Sequence, residues 1–247
     1  MIHFDGGLIL LDVEGTVSPL AFVHEVMFPF ARRNVAAFLK ENGEVPEVTA
    51  ALKQMAADAG HASLAGWCPF ALPSPEGIHW LEAQVHQWMD ADAKLRGLKQ
   101  LQGLIWEQGF KNGALCATLF DEVARVLRDW HASGLQIRIY SSGSVHAQKM
   151  FFSHTTSGDL TPFLRGYYDT TTGPKRDAAS YRAIAQDAGF APGDVLFLSD
   201  VTAELDVAQA TGMQTALAIR PGNRETDRAR HLLFHSLHDI LTSAHEN

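Results

Sequence analysis

LILLDVEGTVSP, residues 8–19, runs four apolar residues straight into Asp12, places Glu14 two positions on and closes on Gly15-Thr16. A continuous apolar run this short is the pattern of a strand buried on both faces, as parallel sheets have. One polar residue is enough to stop a strand, so the second carboxylate calls for another explanation.

The same pattern returns downstream. LQIRIYSSGS (135–144) and DVLFLSDVT (194–202) each run a β-rich apolar segment into Ser or Asp, and TALAIRPGN (215–223) reads as a strand ending at Pro-Gly. Helical periodicity separates them. LFDEVARVLRDWHASG (119–134) repeats Val123, Val126, Leu127 and Trp130 with Gly134 as a stop, and DAASYRAIAQDAGF (177–190) behaves similarly. Alternating strands and helices predict an α/β fold with a doubly wound parallel sheet. Ligands bind beyond the carboxyl ends of such strands, where these polar residues all fall.

Between the first strand and the helix at 119 lie about a hundred residues with no convincing parallel strand, far more than one crossover needs. They read as helices (22–43, 48–60 and 77–110) divided by a Trp-Cys-Pro and Pro-Ser-Pro loop around 67–75. The expected organisation is a discontinuous core, 1–18 with 119–247, interrupted by an α-helical cap, 19–118. Only the last residues, 243–247, look frayed.

The 247 residues are enough for one sizeable core or a core plus an inserted domain. With 20 Lys and Arg against 28 Asp and Glu, the net charge of −8 disfavours nucleic acid and acidic lipid as partners. Cys68 and Cys116 lack CxxC spacing and read as free thiols of a reducing compartment. GGLILL is too short and lacks the basic flank of a signal peptide or membrane span, so the expected location is cytoplasmic. No heptad demands a dimer, and a monomer is expected.

The strand tips collect Asp12 with Glu14, Ser141 with Ser142, Lys175 and Asp200. One such Asp alone is most simply a loop cap. Together, carboxylates from two strands can bind a hard cation such as Mg²⁺ and leave room for water and phosphate, while hydroxyls, backbone N–H groups and a lysine hold phosphate oxygens. The residue set points to phosphoryl transfer.

The order of DVEGT, a strand ending in SSGS, a lysine before a helix and a late strand ending in SD resembles the four motifs of the haloacid dehalogenase superfamily. More closely, DVEGT joined to SSGSVHAQK, with LKQLQGLIW, YYDTTTGPK, SYRAIA and RPGN, is similar to the acireductone-forming enolase-phosphatases of methionine salvage. The resemblance spans almost the whole chain and weakens around 42–78. It implies a Rossmann-like core with a helical cap and one Mg²⁺ per chain. The substrate would be a small phosphorylated diketone, 2,3-diketo-5-methylthiopentyl-1-phosphate, enolised and then dephosphorylated to the acireductone. Asp12 would be the nucleophile and a metal ligand, with Asp200 completing the metal site. Ser141, Ser142 and Lys175 would hold the phosphate, and Glu204 with Asp206 would orient metal-bound waters. Glu14 stands where most superfamily phosphatases have Asp; its extra methylene moves the carboxyl by about 1.5 Å. It is implied in acid–base chemistry and in metal binding, by side chain or backbone. The proton abstractor for enolisation is left among Glu14, a cap residue and bound water. Val17 and Leu104 depart from the family pattern without removing a catalytic group.

Other groups have plainer readings. His231, His235 and His238 fall at i, i+4 and i+7, which can gather a metal, but Leu232, Leu233, Leu237, Ile240 and Leu241 fill the other face. An amphipathic helix is expected there, and zinc is not. His154 reads as a hydrogen-bonded structural histidine. Lys99, Gln100 and Gln102 form either a solvated face or, as the resemblance implies, part of a lid. Phe22, Phe28, Phe30 and Trp106 suit either a methylthio pocket or cap core. Alternatives to the leading function are a capped phosphatase without enolase activity, a metal-independent dehalogenase and a silent binding scaffold.

Overall fold

A computed structural model describes residues 1–225 and 230–242; the frayed tail expected at 243–247 lies outside these. In chain order the strands are β1 (Ile2–Phe4), β2 (Leu8–Leu11), β3 (Gln136–Tyr140), β4 (Gly166–Tyr168), β5 (Val195–Ser199), β6 (Gln214–Ala218), β7 (Leu232–Phe234) and β8 (Ile240–Thr242). Six form a parallel sheet in the order β4-β3-β2-β5-β6-β7. β2 is central, Leu8 pairing with Gln136 on one side and Val195 on the other, and all four of its side chains are fully buried. Sandwiched between two neighbours and covered on both faces, LILL has no polar face to present, which is why the run is unbroken.

The expected α/β parallel sheet is observed. Three-residue β4 and the edge strand β7 were not anticipated, being too short to carry a periodicity. β1 and β8 form a separate two-stranded parallel pair.

Compact packing divides the chain into two units. One comprises the described residues of Met1–Val23 and Cys116–Asn247, the other His24–Leu115. In the first, the sheet is flanked by α-helices at Val123–Ala132, Val145–Ser153, Ala178–Ala188 and Thr202–Ala210. The helix expected at 119–134 begins at Val123 and buries Val123, Val126, Leu127 and Trp130, the residues its spacing selected. Ala178–Ala188 starts at Asp177, whose carboxylate accepts from the Ala179 N–H, and ends at the left-handed Gly189.

The second unit is helical throughout: Phe28–Asn42, Pro46–Asp58, a single turn at Leu64–Trp67, Pro75–Asp90 and Arg96–Lys111. Its core joins Val35, Leu39, Met55, Leu81 and Leu101, with Trp67 stacked on Trp88 at 5.3 Å and edge-on to Trp80 at 5.0 Å. The stretch 77–110, read as one helical run, is two helices. Asp92 turns left-handed (φ 48°) between them, a conformation short polar side chains tolerate.

The C-terminal reading is corrected. Residues 231–242 are two short strands around a 3-10 turn at Leu237–Asp239, not an amphipathic helix. A capping box opens the turn: Ser236 accepts from the turn's backbone while Asp239 accepts from the Ser236 N–H. Edge pairing of Ala216–Ala218 with Leu232–Phe234 outweighs the helical spacing of the histidines.

Candidate active site at the carboxyl edge of the sheet

Asp12 continues β2 by one residue, its N–H donating to the Leu198 carbonyl at 2.9 Å. The buried side chain is held on both oxygens. Oδ1 accepts from the Val13 N–H (2.8 Å) and the Lys175 ammonium (2.5 Å), and Oδ2 accepts from the Ser199 hydroxyl at 3.1 Å. Lys175 also donates to Glu204 Oε2 at 2.9 Å. Burial disfavours the charged amine; Asp12 and Glu204 together outweigh it and raise its pKa above the ordinary lysine value, so it stays an ammonium.

Three hydroxyls pin the backbone that delivers Lys175. Tyr140 donates to the Gly173 carbonyl, Ser180 to that of Pro174 and Tyr181 to that of Lys175, each at 2.8 Å. The first comes from the neighbouring strand and the others from the following helix, so sheet and helix together fix the lysine. Sequence reasoning missed these residues because their partners are backbone atoms brought together only by folding.

Ser141 directly follows β3, is buried, and donates to Glu14 Oε2 at 3.3 Å while accepting from the Gly143 N–H at 3.2 Å. Ser142 beside it is exposed. Gln148 donates to the carbonyls of Gly143 (2.7 Å) and Tyr168 (2.8 Å), and Asp169 accepts from the Val145 N–H at 2.8 Å, shaping the SSGS loop. Burial, and next the charge of Asp12, push the Glu14 carboxyl above its usual range.

Asp200 follows β5 and lies against Gly15. A Cβ at Gly15 would sit 2.3 Å from Asp200 Oδ2, and Gly15 has φ +73°, so only glycine fits on both counts. Burial, then Asp12, raise the Asp200 pKa to about 7, and the same two causes raise Glu204. Asp12, Glu14, Asp200 and Glu204 thus surround the Lys175 ammonium with more carboxylate than it neutralises, which suits a divalent cation. Among the described residues no three His, Cys, Asp or Glu side chains are grouped so as to hold a metal ion by themselves.

Two further residues brace the loop after Asp12. Arg220 Nε donates to the Thr16 carbonyl at 3.1 Å, while its guanidinium pairs with Glu122 (2.7 Å) and stacks over Phe120 at 4.5 Å. Asn223 donates to the Gly15 carbonyl at 2.9 Å. The RPGN signal lay in the sequence, but not its target.

Some expected participants lie elsewhere. Glu204 joins the site, whereas Asp206 pairs with His231 at 3.1 Å and with Arg230 at 3.4 Å. His231 also contacts Thr215 Oγ1 at 3.0 Å, so the three C-terminal histidines do not form a cluster. His154 contacts Ser153 Oγ and the Met150 carbonyl as a structural histidine does. Phe28 meets Trp106 edge-on, Trp106 donates to the Met27 carbonyl, and Phe22 instead packs on Phe151. Lys99 and Gln100 are exposed, and Gln102 is buried.

Residues 7–212 match the family model for haloacid dehalogenase-like hydrolases. The chain belongs to that family. As a haloacid dehalogenase-like hydrolase it is 46% identical over 236 residues to the enolase-phosphatase E1 of Synechococcus elongatus, covering 94% of this chain and 96% of that one. It is 41% identical over 232 residues to the enolase-phosphatase E1 of Sorangium cellulosum, with 94% and 96% covered. Among solved structures, the UTR4 protein of Saccharomyces cerevisiae superposes with a TM-score of 0.77 at 31% identity, covering 94% of this chain and 98% of that one.

Proposed function

We propose that this hydrolase is an enolase-phosphatase that converts 2,3-diketo-5-methylthiopentyl-1-phosphate to the acireductone and phosphate in methionine salvage. The observation that carries the reading is Asp12, buried at the tip of the central strand and held by Lys175, Ser199 and the Val13 N–H, in a chain similar over nearly its full length to two enolase-phosphatases.

Asp12 attacks phosphorus, the ester oxygen departs with a proton, and water hydrolyses the aspartyl-phosphate. Lys175, charged and fixed by three carbonyl anchors, stabilises the phosphoryl oxygens without reorganising. Ser141 and Ser142 offer hydroxyls on the neighbouring strand tip. Glu14, held by Ser141, moves the protons of both half-reactions. Asp12, Asp200 and an oxygen of Glu14 would hold one Mg²⁺; the backbone oxygen is favoured because Ser141 engages the side chain. That ion would offset the surplus carboxylate charge and stabilise developing enolate and phosphoryl charge. Residues 1–18 and 119–247 act as the catalytic core and 19–118 as its cap. The enzyme works as a cytoplasmic monomer on a small molecule; among the described residues no helix is long and apolar enough to cross a membrane.

Turnover of the diketone phosphate, with Mg²⁺ or with chelator, tests this when enol absorbance and free phosphate are followed separately. Mg²⁺-dependent enol formation followed by phosphate release is expected. Phosphate release from generic esters with no enol signal would reduce the chain to an ordinary capped phosphatase.

A further inference from the structure

Asn223 follows the strand Gln214–Ala218 in the RPGN turn and faces the loop that carries Asp12 and Glu14. Its Nδ2 donates to two carbonyls, Gly15 at 2.9 Å and Ala218 at 3.1 Å. Only an amide NH₂ group can serve two carbonyls, so the side chain has one allowed orientation. Oδ1 therefore points the other way. It is buried and accepts no hydrogen bond among the described residues. A buried amide oxygen without a donor is destabilising, so an orphan held this firmly implies a donor that binds there.

The direction of Oδ1 identifies the donor. A Cβ built on Gly15 would lie 3.0 Å from Asn223 Oδ1 and 2.3 Å from Asp200 Oδ2. Both acceptor oxygens thus lie within 3.0 Å of one point beside the Gly15 backbone, next to the carboxylate expected to ligate the metal. Two acceptors cannot satisfy each other, whereas a water on a divalent cation is a strong double donor.

We propose that Asn223 is a positioning residue for the cation of the Asp12–Asp200 site: Nδ2 fixes the Gly15 backbone, and Oδ1 accepts a hydrogen bond from a water carried by the ion. The proposal rests on the Mg²⁺ reading above. It also gives the turn after the strand Gln214–Ala218 a part in metal affinity, with none of its side chains proposed as a ligand.

Mn²⁺ is the probe, titrated into the full-length protein without substrate and followed by electron paramagnetic resonance and water-proton relaxation, with thermal unfolding recorded in parallel. Asn223→Ala is expected to weaken Mn²⁺ binding about tenfold and to change the relaxation enhancement of bound Mn²⁺. A merely structural anchor predicts weaker binding with the relaxation enhancement of bound Mn²⁺ unchanged. Equal Mn²⁺ affinity in Asn223→Ala and wild type, or an unchanged relaxation enhancement of the bound ion, overturns the proposal. Asp200→Asn separates the two levels: if it abolishes binding while Asn223→Ala binds Mn²⁺ as tightly as wild type, only the role of Asn223 fails. If the wild type itself binds no Mn²⁺, the metal reading and this proposal fall together.

Discussion

Asp12 accepts from Lys175 and Val13 on one oxygen and from Ser199 on the other, and an asparagine can copy that geometry. Its carbonyl would take the Oδ1 place, and its NH₂ would face a Ser199 hydroxyl free to turn toward Glu204, 3.3 Å away. Asp12→Asn should therefore fold normally and lose at least about 10³-fold in turnover, because an amide is not a nucleophile. Substantial phosphatase activity in that variant would remove Asp12 from its assigned role. Lys175→Ala leaves Asp12 and Glu204 without their shared cation, and kcat/KM should fall by about 10²–10³-fold. A fall confined to KM would mean that the lysine binds phosphate without stabilising the transition state. Gly15→Ala combines a left-handed backbone with a Cβ overlapping Asp200. A loss of about 1–2 kcal/mol from the backbone alone is expected by denaturant titration, accompanied by lost turnover as Asp200 is displaced.

The helix Val123–Ala132 is tied to the loop after Asp12 by Arg220, which spans from Glu122 to the Thr16 carbonyl. Burial pushes the Glu122 carboxyl up, but the Leu237 N–H and Arg220 outweigh it and hold its pKa below the usual 4.5. A depressed carboxylate stabilises the fold fully above its unfolded pKa, and the contribution is lost as pH falls through the folded value. The thermal midpoints of wild type and Glu122→Gln should thus differ at neutral pH and converge in acid; a constant gap would show that the charge is not what stabilises. In the helical unit, Gly97 sets how closely Arg96–Lys111 approaches Pro46–Asp58. A Cβ there would lie 2.4 Å from the Met55 backbone nitrogen, and Asp58 accepts from the Gly97 N–H at 2.7 Å. Gly97→Val should destabilise by about 1–3 kcal/mol through overpacking, read as a shifted denaturant midpoint. An unchanged midpoint would mean that the helices part freely.

Among the described residues, the exposed large apolar side chains are Met1, Val26, Val45, Phe70, Leu232 and Leu233. For the monomer proposed above, sedimentation velocity should return the 27.1 kDa mass; a dimer would contradict it. The α/β class, the central strand and the helices at 123–132 and 178–188 could be read directly from the chain, because each follows from the periodicity of local burial. So could Asp12, Glu14, Ser141, Lys175 and Asp200 as a set, because a parallel sheet brings its strand ends to one edge whatever the detail. The three-residue strands, the C-terminal pair in place of a helix and the departure of Asp206 toward His231 could not. Nor could the carbonyl anchors from Tyr140, Ser180 and Tyr181, or the braces from Arg220 and Asn223. All of these are contacts between residues distant in sequence, and their energies depend on neighbours that no local pattern encodes.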